Sequence, residues 1–121
     1  MAMERVVVAD DNPCMVTALR LVLERWGWSV VVAYDGPSAV AAIREVCPAV
    51  ALIDIGLPLL DGHGVARAVR REVTAPMRLV ALSGYGDEHD RQLSRQAGFD
   101  HFLVKPFDPQ ALRAALARGP G

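Results

Sequence analysis

Ala49-Val-Ala-Leu-Ile-Asp54-Ile-Gly-Leu-Pro58 is an unbroken apolar run that delivers one carboxylate and then turns through Gly56 and Pro58. Such a run, apolar at every step instead of at alternate ones, predicts a central strand covered on both faces, as in parallel sheets. Asp54 then stands at the strand's carboxyl end, the edge where open parallel sheets hold ligands because the turns leave a crevice. An Asp there can also simply cap the following helix, since its short side chain bonds nearby backbone N–H groups. The rest of the chain decides between the two.

At 121 residues the chain has the length of one domain, residues 1–121, with enough material for a single sizeable core. Its composition, 52% hydrophobic and 22% charged, is far from that of disordered chains. No uncharged run reaches the roughly 18 residues of a membrane-spanning helix. The apolar Val6-Val7-Val8 near the N-terminus is too short for a secretory signal and has no small-residue cleavage site after it. A soluble, cytoplasmic domain without membrane contact is therefore expected. Cys14 and Cys47 fit neither a Cys-x-x-Cys nor a zinc spacing, and are expected as small buried or half-buried side chains. With a net charge of −1 and its Lys and Arg residues scattered, the chain offers nucleic acid no basic footprint, so no nucleic-acid binding by this chain alone is expected.

In chain order, Arg5-Val-Val-Val-Ala9 predicts a first strand ending at Asp10-Asp11, and Asn12-Pro13 opens a helix, Pro being suited to the first turn. Met15, Ala18, Leu19, Val22 and Trp26 follow at helical spacing up to Gly27 and predict its buried stripe. Ser29 to Tyr34 is a second strand. Asp35-Gly36-Pro37-Ser38 is a loop into a helix with Val40, Ile43 and Val46 inside, and the strand with Asp54 is third. After it comes a helix burying Val65, Ala68 and Val69, with Arg67, Arg70, Arg71 and Glu72 outside. Pro76 to Ser83 is a fourth strand. The polar stretch Asp87–Gln96 forms a weakly anchored helix held by Leu93 and Ala97. His101–Val104 is a fifth strand running into Lys105-Pro106, and Ala111 to Arg118 a last helix before Gly119-Pro120-Gly121. Five strands alternating with five helices imply right-handed crossovers, and so a doubly wound α/β domain: a five-stranded parallel sheet between two helical layers.

The strand ends collect Asp10, Asp11, Asp54, Ser83 and Lys105 at one edge. Three converging acids repel unless a hard cation holds them, and an oxygen site with few protein ligands and several waters suits Mg²⁺. Asp54 is then a candidate nucleophile toward a phosphoryl group, with Ser83 and Lys105 to hold its remaining oxygens.

In Val8-Ala-Asp10-Asp11-Asn12, Leu52-Ile-Asp54-Ile-Gly-Leu-Pro58, Asp61-Gly62, Ala81-Leu-Ser83-Gly84 and Lys105-Pro106-Phe107, the chain resembles the response-regulator receiver domains of two-component and phosphorelay signalling, over nearly its whole length. The resemblance implies a flavodoxin-like fold with strand order 2-1-3-4-5. It makes Asp54 the phosphoacceptor, with a histidine kinase or histidine phosphotransfer domain as donor. It assigns Mg²⁺ to Asp11 and Asp54 directly, to Asp10 mainly through water, and to the carbonyl of Gly56. Ser83 becomes the switch hydroxyl, Lys105 the partner of the phosphoryl group, and Phe102 the rotating aromatic. The Lys105-Pro106 bond should be cis. On the first helix, Asn12, Pro13, Val16, Thr17 and Arg20 are expected to form the donor's docking face. The fourth helix, fifth strand and fifth helix should form the surface that reads the state, also a route to a homodimer. Gly56 replaces the larger residues often found there. Leu82–Gly86 and Ala97–Pro106 resemble receivers fused to hybrid sensor kinases.

The chain is not expected to be an enzyme beyond its own phosphorylation and dephosphorylation. The rival is a haloacid-dehalogenase-like phosphatase, which also uses an Asp nucleophile with Ser or Thr, Lys and Mg²⁺. That chemistry needs a second Asp two residues after the first as general acid, and Gly56 stands there. A receiver reduced to a binding module would have lost Asp11, Asp54 or Lys105, and all three are present.

Overall fold

The computed structural model describes residues 4–117. The order is β1 (Arg5–Ala9), α1 (Pro13–Arg25), β2 (Ser29–Ala33), α2 (Gly36–Val46), β3 (Val50–Asp54), α3 (Gly62–Glu72), β4 (Arg78–Ser83), α4 (Glu88–Ala97), β5 (His101–Val104) and α5 (Pro109–Leu116). All strands pair in parallel, in the order β2-β1-β3-β4-β5. This is the predicted doubly wound, flavodoxin-like sheet. Arg118 and the Gly119-Pro120-Gly121 stop lie outside the described residues, as do the first three.

β3 is central because every side chain before Asp54 is apolar and both its edges are paired, to β1 and to β4. Val6 to Ala9 and Val50 to Ile53 are fully buried. Alternation along the strands then sorts two cores. Val6, Val8, Leu52, Leu82 and Leu103 face α1 and α5 through Val16, Leu19, Leu23 and Leu112. Val7, Ala51, Ile53, Leu79 and Ala81 face α2, α3 and α4 through Ile43, Val65, Val69 and Ala97.

Each helix starts on one side chain that accepts from its own first turn: Asn12, Asp35, Asp61, Asp87 and Asp108. This is the ordinary N-cap arrangement, in which a short polar side chain satisfies an otherwise orphaned N–H. Asp54 is not among them, because Asp61 caps α3.

Several sequence expectations shift in the structure. The buried stripe of α1 is Val16, Leu19 and Leu23, while Met15, Val22 and Trp26 are half-buried and Ala18 is exposed. The face of α1 that meets the sheet runs through Val16, Leu19 and Leu23 at i, i+3 and i+7, one step round the helix from Met15 and Val22. In α3 Ala66, not Ala68, is fully buried, and α2 begins already at Gly36. In α4 the buried residues are Ser94 and Ala97, with Leu93 only half-buried. Cys14 and Cys47 are exposed, against expectation. Cys14 lies on the outer side of the first turn of α1, and Cys47 is a left-handed helix cap with φ of 47°.

Two glycines fix the loop after β3. Gly62 packs so closely that a Cβ would come within 2.7 Å of the Asp54 carbonyl oxygen, and one on Gly36 would strike the Leu60 backbone. Gly36 N–H also donates to the Pro58 carbonyl, 3.1 Å away. The loop that follows Asp54 is thus held between α2 and α3 by backbone contact.

Candidate functional site

Alternation places Asp54 on the α1/α5 side of β3, in phase with Leu52. The ladder continues one residue beyond β1 and β5: Asp10 N–H donates to Ala33 O at 3.1 Å, and Lys105 N–H to Ser83 O at 2.7 Å. Asp10 therefore keeps phase with Val8, and Lys105 with Leu103, so all three side chains emerge on one side of the sheet edge. Lys105 Nζ donates to Asp10 Oδ2 at 2.7 Å and to Asp54 Oδ1 at 3.2 Å. Asp10 is buried, and its other oxygen accepts from Asn12 N–H at 3.0 Å. Asp11 is exposed beside them. Carboxylate oxygens of Asp10, Asp11 and Asp54 lie within 4.8 Å of one another.

Burial raises the pKa of Asp54 above its ordinary 3.8, and the Asp10 charge raises it further; Lys105 and the Gly56 backbone N–H offset only part. For Lys105, burial works against the charged amine, but the Asp10 hydrogen bond and the charges of Asp54 and Asp10 outweigh it and raise the pKa. Three carboxylates answered by one ammonium leave two formal negative charges in a half-buried crevice. None of the three is used up as a helix cap, and an all-oxygen set of this kind fits a hard cation such as Mg²⁺.

Ser83 and Phe102 are in the other phase, with Ala81, on the α2–α4 side. Ser83 is 7% exposed, and its Oγ accepts from Tyr85 N–H at 3.0 Å, leaving its own hydrogen to give. Phe102 pairs with Ala81 across the sheet and is half-buried, with the Arg91 guanidinium 5.1 Å from its ring centre. The Lys105-Pro106 bond is cis, as expected.

The predicted docking face needs one correction. Asn12, Pro13, Thr17 and Arg20 are exposed, but Val16 is 2% exposed and packs into the α1/α5 core. The residues beside Pro13 and Thr17 on the open face are Cys14, Ala18 and Leu21, and these five line a shallow hollow of about 440 Å³.

Among the tertiary bonds that carry no sequence signature are those of His63 and Arg70. His63 Nε2 lies 3.2 Å from Ser94 Oγ and ties α3 to α4. Arg70 donates to Gly98 O, Met77 O and Asp100 Oδ2 at 2.7–3.0 Å and clamps the turn after α4. His63 with Ser94, and Arg70 with Gly98 and Asp100, join residues about 30 positions apart that only the fold brings together.

A family model described as the response regulator receiver domain matches residues 6–117. The DNA-binding response regulator MtrA of Mycolicibacterium smegmatis is 35% identical over 93% of this chain and 49% of its own length. The chain thus spans about half the length of the curated relatives it matches. A CheY-like response regulator receiver domain protein from Methanospirillum hungatei JF-1 superposes with a TM-score of 0.86 at 25% identity, covering 93% of this chain and 90% of that one. The receiver domain of the sensor histidine kinase PA1611 from Pseudomonas aeruginosa PAO1, with a magnesium ion coordinated in its active site cleft, gives 0.86 at 30% identity, covering 95% of each. Among the described residues no helix is long and apolar enough to cross a membrane.

Proposed function

This chain belongs to the response regulator receiver family, and from that premise we propose that Asp54 accepts a phosphoryl group from a histidine kinase or histidine phosphotransfer domain. The observation that carries the reading is Lys105 Nζ shared between Asp10 and Asp54 beside Asp11, at the carboxyl edge of the sheet. An Asp54 carboxylate oxygen bonds to phosphorus as the donor's P–N bond breaks, and the electron pair leaves with the imidazole nitrogen. Asp11 and Asp54, the Gly56 carbonyl, and Asp10 mainly through water would hold Mg²⁺. When bound, that ion supplies the positive charge that lets the acids and phosphoryl oxygens share one crevice. The indirect role of Asp10 accords with its oxygens being already engaged by Lys105 and Asn12. Lys105 moves its second hydrogen bond from Asp54 to a phosphoryl oxygen without leaving Asp10.

Ser83 gives its free hydrogen to another phosphoryl oxygen, and its displacement opens space on its own side of the sheet, where Phe102 lies in the same phase. The surface of α4, β5 and α5 changes with it and serves a partner or a second copy. Docking of the donor uses Asn12, Pro13, Thr17 and Arg20, joined by Cys14, Ala18 and Leu21, in place of Val16. As to context, we favour the receiver of a hybrid sensor kinase, supported by the likeness to the Pseudomonas domain. The DNA-binding relatives make an output domain after the receiver the rival context.

Intact-mass measurement with Mg²⁺ and acetyl phosphate tests the reading: the wild type gains one phosphoryl group and Asp54→Asn gains none. Equal labelling of the Asn variant sinks the assignment. Thr17→Glu should slow transfer from a histidine donor and leave acetyl phosphate labelling intact. Ser83→Ala should keep phosphorylation while shrinking the amide shifts of residues 85–104.

A further inference from the structure

Ser94 is the only polar side chain of α4 that is fully buried among the described residues, at 1% exposure, and its Oγ lies 3.2 Å from His63 Nε2. His63 is the second residue of α3. Its neighbour Gly62 is wedged against the backbone of the reactive residue: Gly62 N–H donates to Ile55 O at 2.8 Å, and a Cβ there would lie 2.7 Å from both Asp54 O and Ile55 Cα. There is no slack between residues 54–55 and His63. The imidazole also meets Phe99 edge-on, with ring centres 6.4 Å apart. Ser94, Phe99 and Phe102 in turn line one cavity of about 230 Å³ between α4 and β5.

We infer that the His63–Ser94 hydrogen bond is a second line of coupling between Asp54 and α4, independent of Ser83. The inference rests on Asp54 being the phosphoacceptor. A backbone shift at Asp54–Ile55 displaces Gly62 and turns His63, and the bond to Ser94 carries that motion into the middle of α4. The bond matters because α4 buries little else, its one other fully buried side chain being Ala97. A buried hydroxyl that loses its partner costs more than the bond itself contributes. The competing arrangement is a Ser94 hydroxyl bonded to its own helix one turn back, in which case His63 is dispensable.

Amide NMR on the full chain separates the two, with beryllofluoride and Mg²⁺ as the phosphoryl probe. In the unphosphorylated protein, His63→Leu should speed hydrogen exchange of residues 88–97 about five- to tenfold, the change expected of one lost buried hydrogen bond, while His63→Gln, which keeps a donor, should stay within about twofold of wild type. With the probe, Ser83→Ala should retain part of the α4 shifts, and Ser83→Ala with Ser94→Ala should lose them. The inference is overturned if Ser83→Ala alone abolishes the α4 shifts, or if the Leu and Gln variants exchange alike. A wild type that shows no shifts with the probe refutes the phosphoacceptor reading and the coupling with it, whereas loss of α4 shifts in Ser83→Ala alone refutes the coupling and leaves that reading standing.

Discussion

The centre of the sheet, β1, β3 and β4, and its α4–β5 edge are built on opposite economies of burial. In the first, Val6 to Ala9 and Val50 to Ile53 are wholly inside, under helices that each bury at least three residues. In the second, α4 buries Ser94 and Ala97, β5 has four residues, and the joints are polar: His63 to Ser94, Arg70 to Gly98 and Asp100, Arg91 over Phe102. The difference teaches where reaction and readout can live. Carboxylates that repel one another must be held by a frame that does not yield. A change can be read only by elements whose attachments are weak enough to rearrange.

Core truncation tests the contrast most strongly. Leu52→Ala, at a fully buried position between α1 and α5, should cost about 2–5 kcal/mol in urea denaturation, whereas Leu93→Ala on half-buried α4 should cost under about 1 kcal/mol. Similar losses at both sites would erase the distinction between centre and edge.

Lys105→Met comes next. It removes the one cation that Asp10 and Asp54 share and should cost roughly 1.5–3 kcal/mol at pH 7, the range for hydrogen bonds to charged groups. The folded-state pKa of Lys105 is raised. Its contribution is thus complete below the unfolded lysine pKa and is lost as pH rises through the higher folded value. Above neutral pH the gap between wild type and variant, followed by thermal melts, should therefore narrow only in strongly alkaline buffer. A gap that closes near neutral pH would contradict the pairing.

The smallest effect has the opposite sign. Asp54 has a raised folded pKa, with burial as the largest cause, so ionising it costs stability, a cost that builds as pH rises from 3.8 through the folded value and is complete above it. Without Mg²⁺, Asp54→Asn should melt higher than wild type at pH 7, and the advantage should vanish below pH 3.8, where the unfolded carboxyl is protonated too. A variant that melts lower at pH 7 would show the Lys105 bond outweighing burial and the Asp10 charge.

Much of this was legible in the sequence for a simple reason. The strands are apolar runs that end abruptly in charged or hydroxyl residues, so Asp10, Asp54, Ser83 and Lys105 could be placed at one edge from pattern alone. Helix phase was less legible. Met15, Leu19 and Val22 make as plausible a stripe as Val16, Leu19 and Leu23, and only the sheet beneath α1 selects the second. Residue type does not separate the acids, since Asp35, Asp61, Asp87 and Asp108 cap helices and differ from Asp54 in position alone. The bonds of His63 and Arg70 were invisible because each depends on how α3 sits against α4 and the turn after it.

The most direct test of the division between a reacting centre and a reporting edge is hydrogen-exchange mass spectrometry of the whole chain, with Mg²⁺, before and after acetyl phosphate, and with Asp54→Asn as the unlabelled control. The account predicts that exchange changes fall in residues 83–105, that β1 and β3 stay protected throughout, and that the control changes nowhere. Changes spread evenly over β1, β3 and α4, or confined to the loops beside Asp54, would contradict it.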